Sequence, residues 1–163
     1  MIEEIVKIGI AEMKITKCPN ILKTSGLGSC VGVVIFDSKS KLSGMAHIML
    51  PYVLNHSKGV DSFAKYAETA VPLLISELIK NGACKNRMRA KIAGGASMFP
   101  LASTTGKLKI GYRNVEAIKE LLEKHQILLV SEDTGGNKGR TIEFHTESSD
   151  LHIRTVSENI KII

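Results

Sequence analysis

Two nearly continuous apolar runs, Val31–Phe36 and Met45–Leu50, stand either side of the polar stretch Asp37-Ser38-Lys39-Ser40-Lys41. Short apolar runs bounded by turn residues predict buried strands, and this pair predicts an antiparallel hairpin. Upstream, Ile5–Ile15 alternates loosely and reads as a first strand interrupted near Ala11-Glu12. Cys18-Pro19-Asn20 is a turn, and Ile21–Lys23 a short strand behind it. Downstream the period changes. Ala67, Val71, Leu74, Ile75 and Leu78 recur at helical spacing and predict a helix over Asp61–Asn81, ended by Asn81-Gly82. Pro72 removes the bond to the Glu68 carbonyl and is expected to kink or split that helix. A second helix is predicted over Asn114–Gln126, with Val115, Ile118, Leu121 and Leu122 inward and His125 at its negative end. Arg87–Ala93 reads as a strand with one basic, solvated face, and the strongly apolar Ile127–Ser131 as a central strand. Gly135–Gly139 reads as a hairpin turn into Arg140–Thr146, and Ser148-Ser149-Asp150 as a turn into a last strand, Leu151–Val156. Tyr52–Val60 and Leu101–Lys109 read as loops.

About eight strands and two main helices, with no repeat or linker, predict a single α/β domain over residues 1–163. The expected form is a sandwich of mixed or antiparallel sheet with helices against it. A chain of 163 residues can bury roughly 70% of its unfolded surface. The net charge of +6 raises nucleic-acid binding, but aromatics make up only 4% and no nucleic-acid motif is present. The basic stretch Lys80–Lys91 reads instead as a solvated face whose field favours an acidic protein partner. Cys18, Cys30 and Cys84 are odd in number and widely spaced, so neither a disulfide framework nor a zinc site is expected, which fits a reducing cytoplasm. No apolar segment is long enough to span a bilayer, and Met1-Ile2-Glu3-Glu4 has acids where an export signal carries bases. His145 and His152 flank a turn without a third ligand, so no metal is expected there.

The chemistry concentrates ahead of the first buried run. Thr24-Ser25-Gly26-Leu27-Gly28-Ser29-Cys30 is a glycine-rich turn that delivers a cysteine to a strand, and His47 lies on the other strand of the hairpin. A thiol becomes a nucleophile by losing its proton, and an adjacent imidazole can take that proton and return it to a leaving group. Backbone N–H groups of the turn can face a developing oxyanion, and Gly28 and Ser29 within it are weak candidates for binding substrate or partner. Thr24 offers an oxygen to fix the imidazole tautomer but no negative charge. A cysteine opening an apolar strand also serves as a small core residue, and a histidine in an apolar run as a satisfied core histidine. Spacing alone leaves both readings open.

Four motifs in order resemble the CheD family: Gly26–Val31, Gly44–Pro51, Lys91–Phe99 and Glu132–Asn137. The resemblance covers nearly the whole chain and implies a chemoreceptor glutamine deamidase that needs no cofactor. It implies Cys30 as nucleophile, His47 as general base and Thr24 as the residue orienting it. It raises Gly95, Ser97 and Phe99 as substrate or partner contacts, and Asn137 stands as a weaker binding candidate in its glycine turn. The partners implied are the cytoplasmic helices of methyl-accepting chemoreceptors and the CheC phosphatase. The fold implied is an α/β sandwich similar to the cytotoxic necrotizing factor-like cysteine hydrolases. The alternative is a non-catalytic module that activates CheC or serves as a receptor adaptor. A peptidase or thioesterase would use the same nucleophile.

Overall fold

A computed structural model describes residues 2–98 and 109–163. Among the described residues ten strands form two five-stranded sheets. The outer sheet has the order β1 (Ile5–Lys7), β3 (Ile21–Leu27), β8 (Arg140–His145), β9 (Asp150–Thr155), β10 (Lys161–Ile162). The central sheet has the order β2 (Met13–Lys17), β5 (Leu42–Ile48), β4 (Val31–Asp37), β6 (Arg89–Gly94), β7 (Leu128–Thr134). Helices α1 (Ala67–Lys80) and α2 (Ile110–Lys124) cover the central sheet's other face. Among the described residues only β1–β3 and β6–β7 pair as parallel strands, so both sheets are mixed. The expected sandwich with two main helices is what forms.

The central sheet is buried on both faces, which is why β4 and β5 are buried at every position and read as mainly apolar runs instead of alternating. Val31, Val33, Ile35, Ala46 and Ile48 face the helices, while Val34, Phe36 and Met45 face Leu22, Ile142 and Phe144 of the outer sheet. The hairpin forms with Gly32 opposite His47 and Val34 opposite Met45.

Several elements depart from the pattern. The stretch Ile5–Ile15 is not one strand: Ala11 takes φ +60°, and β1 and β2 join opposite sheets. The strand after the proline turn runs to Leu27, past a register shift between Thr24 and Leu27. Helix α1 begins at Ala67, since Asp61 ties Lys65 and Tyr66 in a local cluster ahead of it. Pro72 lies inside α1, which runs on through it rather than splitting. Helix α2 begins at Ile110, four residues before the expected Asn114. The expected basic face of Arg87–Lys91 is solvated only in part: Arg87 is exposed and Arg89 half-buried, but Lys91 turns inward. Arg87 precedes β6 and clamps the fully buried Asp37 carboxylate at 3.0 and 2.8 Å. Lys91 is 8% exposed, lies between the sheets and donates to the carbonyls of Ser149 and Ile163. Strand β7 is an edge strand, not a central one, and Leu128 and Val130 stay exposed on it. The Gly135–Gly139 stretch is not a hairpin turn but a crossover from the central to the outer sheet. Strand β10 carried no signal. The rings of His145 and His152, on either side of their turn, stack at 4.1 Å. His125 caps α2, but burial, with help from Lys85 and Lys124, lowers its pKa, which opposes the charge that would suit the helix dipole. Among the described residues no helix is long and apolar enough to cross a membrane.

Candidate active site

Three segments meet where the sheets face each other at the head of β4. His47 pairs with Gly32 across the hairpin, so its side chain leaves on the face shared by Gly32 and Cys30, two positions before it. That face meets the outer sheet. A Cβ on Gly32 would lie 2.5 Å from the Ile142 Cδ1 atom, so glycine there lets the outer sheet close against His47. Strand β3 brings Thr24 up from the other side, its Oγ1 2.8 Å from His47 Nδ1. The main chain of His47 is fixed as well: its N–H donates to the Glu12 carbonyl and its carbonyl accepts from Ala11 N–H.

The partners of Thr24 decide the tautomer. Its hydroxyl donates to the Ile8 carbonyl at 2.8 Å, and a carbonyl only accepts. With that proton committed, Oγ1 accepts from His47 Nδ1–H, and the Nε2 lone pair is left bare. Nε2 is buried with no hydrogen-bond partner among the described residues. His47 is 0% exposed and Thr24 2%. Burial lowers the His47 pKa, so the imidazole is neutral near pH 7. Burial raises the pKa of Cys30, an effect opposed by its own backbone N–H. The thiol is half-buried and therefore reachable. Cys30 and His47 share one face of the hairpin with no hydrogen bond between them, and a neutral thiol and a neutral base of fixed tautomer on one face suit proton transfer during attack on a carbonyl carbon.

The turn before Cys30 is held by its carbonyls. The Gly28 carbonyl accepts from Ala96 N–H at 2.8 Å and the Cys30 carbonyl from Gly95 N–H at 2.9 Å. The Ser29 carbonyl accepts from the Asn114 side chain at 3.0 Å. The N–H groups of Ser29 and Cys30 find no backbone acceptor among the described residues. Gly94 has φ +121°, and a Cβ there would run into the Cys30 carbonyl, so only glycine lets β6 end this close to the turn.

Of the other candidates, Gly28 and Ser29 sit in the turn, and a Cβ on Gly28 would meet Met98 Sδ at 2.8 Å. Gly95 is buried and packs under α2, where a Cβ would lie 2.5 Å from Val115 Cγ2. Ser97 is exposed and its N–H donates to the Gly136 carbonyl, next to the exposed Asn137. Phe99 lies outside the described residues. Two residues escaped the sequence reading. Arg140, 9% exposed, joins the Gly94 and Gly135 carbonyls and the Asp133 carboxylate, fixing the crossover beside Gly94. Asn114 is fully buried in α2. Starting the helix at Asn114 put it at an end, where polarity needs no explanation. Four residues into the apolar stripe, it does need one.

The family model described as CheD chemotactic sensory transduction matches residues 49–155. A protein of Geobacillus kaustophilus (strain HTA426) named probable chemoreceptor glutamine deamidase CheD is 50% identical over 159 residues, 97% of this chain and 96% of that one. This chain belongs to the CheD family. The chemoreceptor glutamine deamidase CheD of Bacillus subtilis (strain 168) is 48% identical over 159 residues, 98% of this chain and 96% of its own. The probable CheD deamidase of Caldanaerobacter subterraneus subsp. tengcongensis is 46% identical over 163 residues, 100% of both chains, and so aligns across Thr24, Cys30 and His47. The solved structure of Bacillus licheniformis hypothetical protein YfiH covers 75% of this chain and 49% of its own, at 16% identity and a TM-score of 0.49.

Proposed function

We propose that this CheD protein hydrolyses glutamine side chains on chemoreceptor cytoplasmic helices, giving glutamate and ammonia through a thioester on Cys30. The observation that carries the reading is the His47 ring, held by Thr24 with Nε2 bare on the face it shares with Cys30. The relatives' names supply the choice of glutamine and of receptors.

Cys30 Sγ attacks the amide carbon as its proton passes to His47 Nε2, and the carbonyl electron pair moves onto oxygen. The N–H groups of Ser29 and Cys30, which have no backbone acceptor among the described residues, receive that oxyanion. On collapse the C–N bond breaks, His47 Nε2–H protonates the departing ammonia, and a thioester remains. His47 Nε2 then takes a proton from water as its oxygen attacks the thioester. The C–S bond breaks, Cys30 recovers the proton and glutamate leaves. Thr24 accepts from Nδ1–H throughout and is hydrogen-bonded more strongly when the ring is cationic. Each turnover puts an anion where a neutral side chain stood, which alters repulsion between packed receptor helices.

The test is conversion of a receptor cytoplasmic fragment, followed by mass spectrometry, for wild type and Cys30→Ala. Gln-to-Glu conversion by wild type alone is expected. Conversion by both variants would move the nucleophile elsewhere. Tight binding of fragment or CheC without conversion would favour the adaptor reading.

A further inference from the structure

We infer that Asn114 is a positioning residue for the oxyanion site: by holding the Ser29 carbonyl it aims the Cys30 N–H at the substrate oxygen. The inference rests on the reading that Cys30 attacks a carbonyl carbon. Asn114 lies 0% exposed on the inward stripe of α2, among Gly111, Val115, Ile118 and Leu122. Both amide hydrogens are spent on main-chain oxygens, Ser29 O and Met49 O, each at 3.0 Å. Oδ1 is buried with no hydrogen-bond partner among the described residues. A stranded acceptor is costly, and a leucine would continue the apolar stripe without one. Its two donors serve main-chain carbonyls that a leucine would strand, at the cost of that one acceptor.

One of the two bonds reaches the residue before the nucleophile, the other a residue two past His47 on the same hairpin. Main-chain donors hold the carbonyls on either side, Gly28 O and Cys30 O, and Asn114 is the side chain that holds the one between. A peptide unit is planar and trans, so its N–H points opposite to its carbonyl. Drawing Ser29 O toward α2 turns the Cys30 N–H away from α2, and that N–H has no backbone acceptor among the described residues. Without the Asn114 bond, the Ser29–Cys30 plane is free to rotate and the donor loses its aim. Gly111 lets α2 come this close: a Cβ there would meet the Gly95 and Ala96 carbonyls, both at 2.6 Å.

Two reagents separate aim from general damage. With p-nitrophenyl acetate, Cys30 Sγ bonds to the carbonyl carbon, the thiol proton passes to His47 Nε2 and an oxyanion forms. Its collapse expels p-nitrophenolate. With iodoacetamide, Sγ displaces iodide at a saturated carbon and no oxyanion forms. Asn114→Leu, which keeps the bulk, and Asn114→Ala, which removes it, are compared with wild type by intact mass at Cys30. The expected result in both is a fall of about 10–100-fold in acylation, with alkylation within about twofold of wild type. An unchanged ratio of the two rates, or an equal fall in both, would overturn the inference. The ester contains no glutamine, so this result is read independently of the receptor-fragment assay.

Discussion

Replacing Thr24 with valine removes one oxygen from a site that is otherwise left the same shape. Two groups then lose their partner: the Ile8 carbonyl and the Nδ1–H of His47. Stranding a buried polar group costs about 1–3 kcal/mol, so the pair sets an upper range of about 2–6 kcal/mol. The imidazole has a way out of its share. It can move its proton to Nε2, where no partner among the described residues opposes it. That relief is what abolishes the base, because Nε2 then has no lone pair for the thiol proton. Holding the productive tautomer without Thr24 costs about 1–3 kcal/mol, which predicts a kcat lower by roughly 5- to 150-fold. KM should change little, since Thr24 is 2% exposed and does not meet substrate. Ammonia release at saturating receptor fragment gives kcat, and a thermal melt gives the stability share. At roughly 2–4 °C per kcal/mol for a chain of this size, the melting point should fall by several degrees. Thr24→Ser keeps Oγ and should recover most of kcat. A valine variant within twofold of wild type, or a serine variant as slow as the valine one, would refute the argument.

Three further predictions follow from the same geometry. Because burial raises the Cys30 pKa and lowers that of His47, iodoacetamide alkylation of Cys30 should rise with pH through an inflection above the ordinary thiol value of about 8.5. A plateau reaching into acid would instead reveal a resting thiolate–imidazolium pair and contradict the neutral site. His47 also ties stability to pH. Its folded pKa lies below the ordinary value of about 6.5, so below that pH the unfolded chain binds a proton the native state refuses. The stability His47 allows is therefore full above about 6.5 and falls as pH drops toward its folded pKa, and denaturant melts should show this weakened in His47→Asn. Gly94→Ala puts a Cβ against the Cys30 carbonyl at φ +121° and should cost at least about 2 kcal/mol while displacing the nucleophile. A stable, fully active Gly94→Ala protein would show that this close approach is dispensable.

The hairpin is legible because burial on both faces writes a strand as a nearly continuous apolar run. Val31–Phe36 is such a run, and Cys30 and His47 fall within reach of it. Thr24 is readable from the turn as an oxygen near the imidazole, but the Ile8 carbonyl that takes its hydroxyl proton lies in a segment that periodicity merges into one strand. Alternation along Ile5–Ile15 does not record that Ala11 turns the chain from one sheet to the other. Strand β7 misled for a related reason. Apolar content marks a strand but not its place in the order, and Leu128 and Val130 lie at an edge. Lys91 was read as solvated because its carbonyl partners, Ser149 and Ile163, are 58 and 72 residues away. Asn114 was lost to a boundary error of four residues.

The central claim is a covalent bond between Cys30 and a receptor glutamine. Wild-type protein mixed with a receptor cytoplasmic fragment and quenched in acid within the first turnover should contain a species of the two masses summed, less one ammonia. Digestion should place the link on Cys30, and hydroxylamine, which cleaves thioesters, should release it. Glutamate formation at the same rate with no such species in the first turnover would contradict the thioester and leave Cys30 without its proposed role.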